Sequence, residues 1–90
     1  MNVEQATIMA FQLLAFIASD EELVNGLQME TGLSLGDLRE RAQDPNLHAG
    51  LFDYILQNEA LLMRFSSEVD CKPESIMRAR MTLPGFSYDA

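Results

Sequence analysis

Much of this chain's character lies in what it has little of. Cys71 is the one cysteine and His48 the one histidine in 90 residues. A lone thiol excludes an internal disulfide, and such sparing use of cysteine matches a reducing compartment, so the expected location is the cytoplasm. Six bases stand against fourteen acids, a net charge of −8. That balance works against long-range steering toward nucleic acid or an anionic membrane. The apolar block Ile8–Ala18 falls short of the about 20 residues a membrane-spanning helix needs. It also lacks the basic flank and small-residue cleavage site of a signal peptide. Gly26, Gly32 and Gly36 have neither the spacing nor the preceding strand of a phosphate- or dinucleotide-binding loop. Sustained two-residue alternation is missing too, which leaves no expected strand.

What is present is helix. Within Ile8–Ala18 the only polar side chain is Gln12, and Gln5, Gln12 and Ser19 recur a heptad apart as one thin polar stripe. A helix apolar over the rest of its circumference must be covered on nearly all sides. It is therefore either the central post of a small domain or a face that a partner covers. Hydrophobic residues make up 48% of the chain, enough for a folded domain. A chain this short buries only about 60% of its unfolded surface, and a core of that size seldom supplies more than about 3–5 kcal/mol by itself. Dimerisation is one way to add to it.

Caps and stops divide the chain into six helices. Asn2 with Gln5 reads as a capping box for the first. Ser19 before Asp20-Glu21-Glu22 reads as the cap of the second, with acids at the positive end of its dipole. Leu23, Val24, Leu27 and Thr31 would face inward, and Gly32 would end the helix. Ser34-Leu35-Gly36-Asp37 reads as a capping box for a short third helix with Leu35, Leu38 and Ala42 inward. Asp44-Pro45 opens the fourth. Asn58-Glu59 opens a fifth that carries Leu61, Leu62, Phe65 and Val69. Pro73-Glu74 opens a sixth, with Ile76, Ala79 and Leu83 on one side. The expected architecture is all-α: one domain over residues 1–84, a compact bundle of about six short helices with the first and fourth at its centre, and a tail over 85–90.

The chain also matches itself. A 38-residue shift sets Leu13 on Leu51, Phe16 on Tyr54, Ile17 on Ile55, Asp20 on Asn58, Leu27 on Phe65 and Leu38 on Ile76. One extra residue then brings Arg39 and Arg41 onto Arg78 and Arg80. This is the pattern of two pseudo-repeats of three helices, too few for a solenoid and suited to packing on each other.

The apolar opening Ala10–Asp20, the turn Thr31-Gly32-Leu33 leading to Asp37-Leu38-Arg39, and Ala42-Gln43-Asp44-Pro45 together resemble a family of short alphaproteobacterial proteins of unknown function. Pro73-Glu74-Ser75-Ile76, and Arg78-Ala79-Arg80 through Leu83-Pro84-Gly85, extend the resemblance over nearly the whole chain. It implies a bacterial cytoplasmic helical protein and brings no catalytic residues with it.

No reactive constellation emerges from the residues themselves. His48 falls between Phe52 and Ile55 on an apolar helix face, a packing position. Cys71 beside Lys72, ahead of the sixth helix, is placed for a stabilised thiolate, but no second cysteine would resolve an oxidised form. Asp20, Glu21 and Glu22 are consecutive and point around a helix, and the pair Glu59 and Met63 contains no histidine. No cofactor and no metal are expected, and the protein reads as a non-enzyme.

Three functional readings remain. In the first, Leu35–Gln43 is the recognition helix of a helix-turn-helix, offering Arg39 and Arg41 to DNA; Gln28, Asp37, Glu40 and the net charge oppose it. In the second, Arg39, Arg41, Arg78 and Arg80 form an anion or small-molecule patch. In the third, which the sequence favours, the chain is a non-catalytic cytoplasmic protein-interaction or regulatory module that self-associates or binds a protein partner. Its candidate surface is Met9, Phe16, Met29, Met63, Phe86 and Tyr88, with Ala49 and Gly50 as a flat spot on the fourth helix, because flexible methionines and exposed aromatics suit adaptable contacts. Neither a membrane nor nucleic acid is an expected partner.

Overall fold

The computed structural model describes residues 1–83. Six helices follow in order: α1 (Val3–Ala18), α2 (Glu21–Thr31), α3 (Leu35–Glu40), α4 (Pro45–Leu56), α5 (Glu59–Glu68) and α6 (Pro73–Thr82). There is no strand among the described residues. All six expected helices are therefore present, and most start where their caps say. The Asn2 side chain accepts from the Gln5 N–H while the Gln5 side chain accepts from the Asn2 N–H, closing the first capping box. Ser34 and Asp37 close the second around α3. Asp44 and Asn58 cap α4 and α5.

Three local expectations need correction. Asp20, not Ser19, caps α2, accepting from the Glu22 N–H at 3.0 Å. Ser19 instead closes α1, its hydroxyl donating to the Phe16 carbonyl. Thr31 is exposed, not inward, and its hydroxyl donates to the Leu27 carbonyl. The third helix stops at Glu40 instead of running to Gln43.

The core is built on α1, α4 and α6, which pack on one another; α2 and α3 lean on α1, and α5 lies against α4 and α6. The first and fourth helices are central as expected, and α6 joins them. Ala6, Ala10, Leu13 and Ile17 of α1 meet Leu47, Leu51, Phe52 and Ile55 of α4 and Ile76 and Ala79 of α6 in a single cluster. The spacing of the α1 set, every third or fourth residue, puts it on one face.

The 38-residue match is visible in the backbone. Asp20 and Asn58 cap the second helix of each half, and Glu21 and Glu59 begin it. Leu13 and Leu51, Ile17 and Ile55, Leu27 and Phe65, and Leu38 and Ile76 are all buried. Among the described residues the two left-handed ones, Gly32 at φ 80° and Asp70 at φ 53°, also stand 38 apart. Contacts cross between halves reciprocally: Phe16 of α1 packs on Phe65 of α5 at 5.4 Å. The Tyr54 hydroxyl of α4 lies so close to α2 that a Cβ on Gly26 would sit 3.3 Å from it. The two halves thus share helix order, caps and buried positions, but not all of their packing: α6 lies against both α1 and α4, whereas the shorter α3 leans on α1.

Candidate interaction surface

Helix α1 is not covered on all sides. Glu4, Ile8, Phe11 and Ala15, four or three residues apart and so on one face, are exposed. Ile8 is 54% and Phe11 42% accessible. Gln5, Gln12 and Ser19, also exposed, mark only one edge of this face. The rest is apolar, and between Glu4 and Asp20 it carries no charge. Val3 is exposed as well.

Phe11 rests edge-on against the His48 ring, with centroids 5.3 Å apart and planes at 82°. His48 is 1% exposed, in the packing position its helix face implies. Its Nε2–H donates to the Ala42 carbonyl at 2.6 Å, and Nδ1 is buried without a hydrogen-bond partner among the described residues. The ring thus ties the end of the α3 turn to the start of α4 and supports Phe11 from below.

The expected surface residues separate into three groups. Met29, 88% exposed, and Met63 stand out in solvent. Met9 and Phe16 are half-buried and packed against the core, and the Arg64 guanidinium lies over the Phe16 ring, 5.7 Å from its centroid. Phe86 and Tyr88 lie outside the described residues. Ala49 is buried, so the small spot it forms with Gly50 is only half available. Ile8 and Phe11 were hidden within the apolar block, because a pattern apolar all round does not say which side stays bare.

The arginines do not gather. Arg41 pairs with Asp44 at 3.1 Å, and Arg80 is buried with its Nε donating to Asp53 Oδ1 at 2.7 Å. Arg39 and Arg78 are exposed, with no ion pair to a carboxylate among the described residues. Arg41 stands at the C-terminal end of α3, whereas Arg80 lies inside the longer α6.

The chemistry of the remaining groups is muted. Burial, and then the Asp70 carboxylate, push the Cys71 thiol up, so the neighbouring Lys72 does not make it a stabilised thiolate. Cys71 stands 38 residues from Leu33, each just after a left-handed residue and packed on the core. It acts as a small hydrophobe. No three His, Cys, Asp or Glu side chains converge as metal ligands among the described residues, and no helix there is long and apolar enough to cross a membrane.

No curated protein and no solved structure matches this chain. A family model described as "Protein of unknown function (DUF3572)" matches residues 3–86. With that match over nearly its full length, the chain belongs to the DUF3572 family of proteins of unknown function.

Proposed function

We propose that this protein is a non-catalytic, cytoplasmic interaction module that self-associates through the exposed face of α1. The observation that carries the reading is the bare pair Ile8 and Phe11 on a helix face without charge. A molecule of net charge −8 repels its own copies over most of its surface. The uncharged stretch between Glu4 and Asp20 is where a second copy approaches at least electrostatic cost. Ala15 leaves room for a facing helix to come close, and Phe11, braced by His48, supplies a rigid aromatic of the kind that anchors interfaces. Covering this face also adds to a core that is small for a stand-alone fold.

The other two readings draw less support. A six-residue α3 leaves little helix to lay in a groove, and of its arginines Arg41 is held by Asp44. The anion patch loses Arg80 to Asp53.

Light scattering over a concentration series tests the proposal, with Ile8→Glu alongside. Ile8 is mostly exposed, so the variant should keep the wild-type helical spectrum and melting temperature. The expected result is a concentration-dependent dimer for the wild type and a folded monomer for Ile8→Glu. A wild-type monomer at every concentration, or a dimer untouched by Ile8→Glu, would reject the α1 interface.

A further inference from the structure

Methionine is ordinarily among the residues most often found fully buried. Here the sorting is reversed. The chain has six methionines, and none is buried: five are exposed, from 40% at Met81 to 88% at Met29, and Met9 is half-buried. Among the described residues every fully buried large side chain apart from His48 is leucine, isoleucine or phenylalanine. A flexible thioether would fill such core slots at little cost, so packing does not demand its exclusion.

Nor do the methionines gather into one contact face. Met1 precedes α1, Met29 stands on α2, Met63 on α5, and Met77 and Met81 on α6. What these positions share is access to solvent. A thioether differs there from an aliphatic side chain in its reactivity: oxidants convert it to the sulfoxide, and reductases reverse the change. In a core the polar product disrupts packing, whereas at an exposed position water solvates it. Met29 is better provided still. Asn25 and Gln28 line one shallow depression with it on α2, and their amides can donate to a sulfoxide oxygen.

We propose that the exposed methionines, with Met29 the most reactive, are a site of reversible oxidation by peroxides that leaves the fold intact. The sulfur lone pair attacks one oxygen of hydrogen peroxide and the O–O bond breaks. Sulfur gains the S–O bond and is oxidised by two electrons; the departing oxygen is reduced and leaves with both protons as water. Methionine sulfoxide reductases, one for each sulfoxide epimer, restore the thioether. A dithiol supplies the two electrons and two protons, becoming a disulfide, and the oxygen leaves as water. This modification is independent of self-association through α1.

The test is peptide mapping by mass spectrometry of the intact protein after graded exposure to hydrogen peroxide. Mildly acidic buffer holds the Cys71 thiol protonated and slow to react, whereas a thioether has no proton to lose and reacts at any pH. Met29 should take up oxygen first and Met9 last, and Met29→Leu should lose that first addition. Oxidation of the five exposed methionines should keep the helical spectrum, with a melting temperature within about 5 °C of the reduced chain's. The reductases with a dithiol should return the original mass. In Leu51→Met the added core thioether should stay reduced after the surface ones have reacted. In cells lacking the reductases, peroxide treatment should leave sulfoxide on Met29; in cells that have them it should be erased. Unfolding as the surface methionines react, oxidation of Met9 ahead of Met29, sulfoxides that the reductases leave untouched, or no sulfoxide in the treated cells would each overturn the assignment.

Discussion

Asp70 holds a backbone conformation, φ 53°, that an L side chain enters at a cost of roughly 1–2 kcal/mol and glycine enters freely. Its counterpart 38 residues earlier is Gly32, so one half of the molecule uses the preferred residue and the other does not. Asp70 also places a negative charge just past the end of α5, where the helix dipole disfavours it. Asp70→Gly should therefore stabilise the protein by about 1 kcal/mol after the entropy of glycine is counted. That is a rise of roughly 4–8 °C in Tm for a domain of this size. The same change removes one of the two causes that raise the Cys71 thiol, so thiol titration should shift downward. An unchanged Tm would mean that the strain is relieved elsewhere. At this scale Gly32 was legible in the sequence as a helix stop, because glycine announces a left-handed residue. Asp70 was not, because aspartate is equally at home in a cap or on a helix.

At the scale of the element, α3 is the least self-sufficient part of the fold. Six residues lie well below the about 12–15 at which an isolated helix becomes even marginal. What holds it is the capping box of Ser34 and Asp37 and the burial of Leu38. The Ser34 N–H, and then the Ser34 hydroxyl, hold the Asp37 carboxyl below its ordinary value of 3.8. The Asn46 N–H first, and Arg41 after it, do the same for Asp44. Both carboxyls have folded pKa values below their unfolded ones, so their stabilising contribution is fully present above the unfolded value. It is lost as pH falls below 3.8 and through the lower folded values. Ser34→Ala should lower stability by about 1 kcal/mol at neutral pH and raise the Asp37 titration only in part, because the Ser34 N–H, the larger cause, remains. Denaturation at pH 7 and carboxyl titration by NMR measure the two effects. If neither moves, the Ser34 hydroxyl contributes nothing, and the Ser34 N–H to Asp37 bond and Leu38 fix α3. Caps were readable in advance because they join residues two or three apart. The Ser19–Asp20 boundary was not, because two good capping residues stand side by side and only the packing of α1 against α2 decides which of them turns the chain.

For the whole molecule, the 38-residue repeat leads to a quantitative expectation. Leu13 and Leu51 are both fully buried, at equivalent places on the two central helices. Truncating either to alanine should cost about 2–5 kcal/mol, a large part of the about 5–15 kcal/mol a domain has in total. The two costs should agree within about 1 kcal/mol if the repeat extends to packing, since the side chains removed are identical and equally buried. Urea unfolding of Leu13→Ala and Leu51→Ala measures this. A severe loss at one site with a trivial loss at the other would mean that the halves are alike in outline but not in packing.

Helix positions, their order, most of their caps and the repeated pattern of buried residues were determined by the sequence itself. Each depends on residues within a turn or two of one another, or on the spacing of apolar side chains along one helix. Three things were decided only by the tertiary structure. The bare side of α1 could not be read from a block apolar all round, since exposure depends on where α2, α3, α4 and α6 come to rest. Arg80 and Arg41 have the same local motif but different fates, because one faces Asp53 across the bundle and the other turns back on Asp44. None of the methionines entered the core, although a flexible thioether fills a core gap as readily as it covers a surface. Only the packing of the helices decides on which side each one stands.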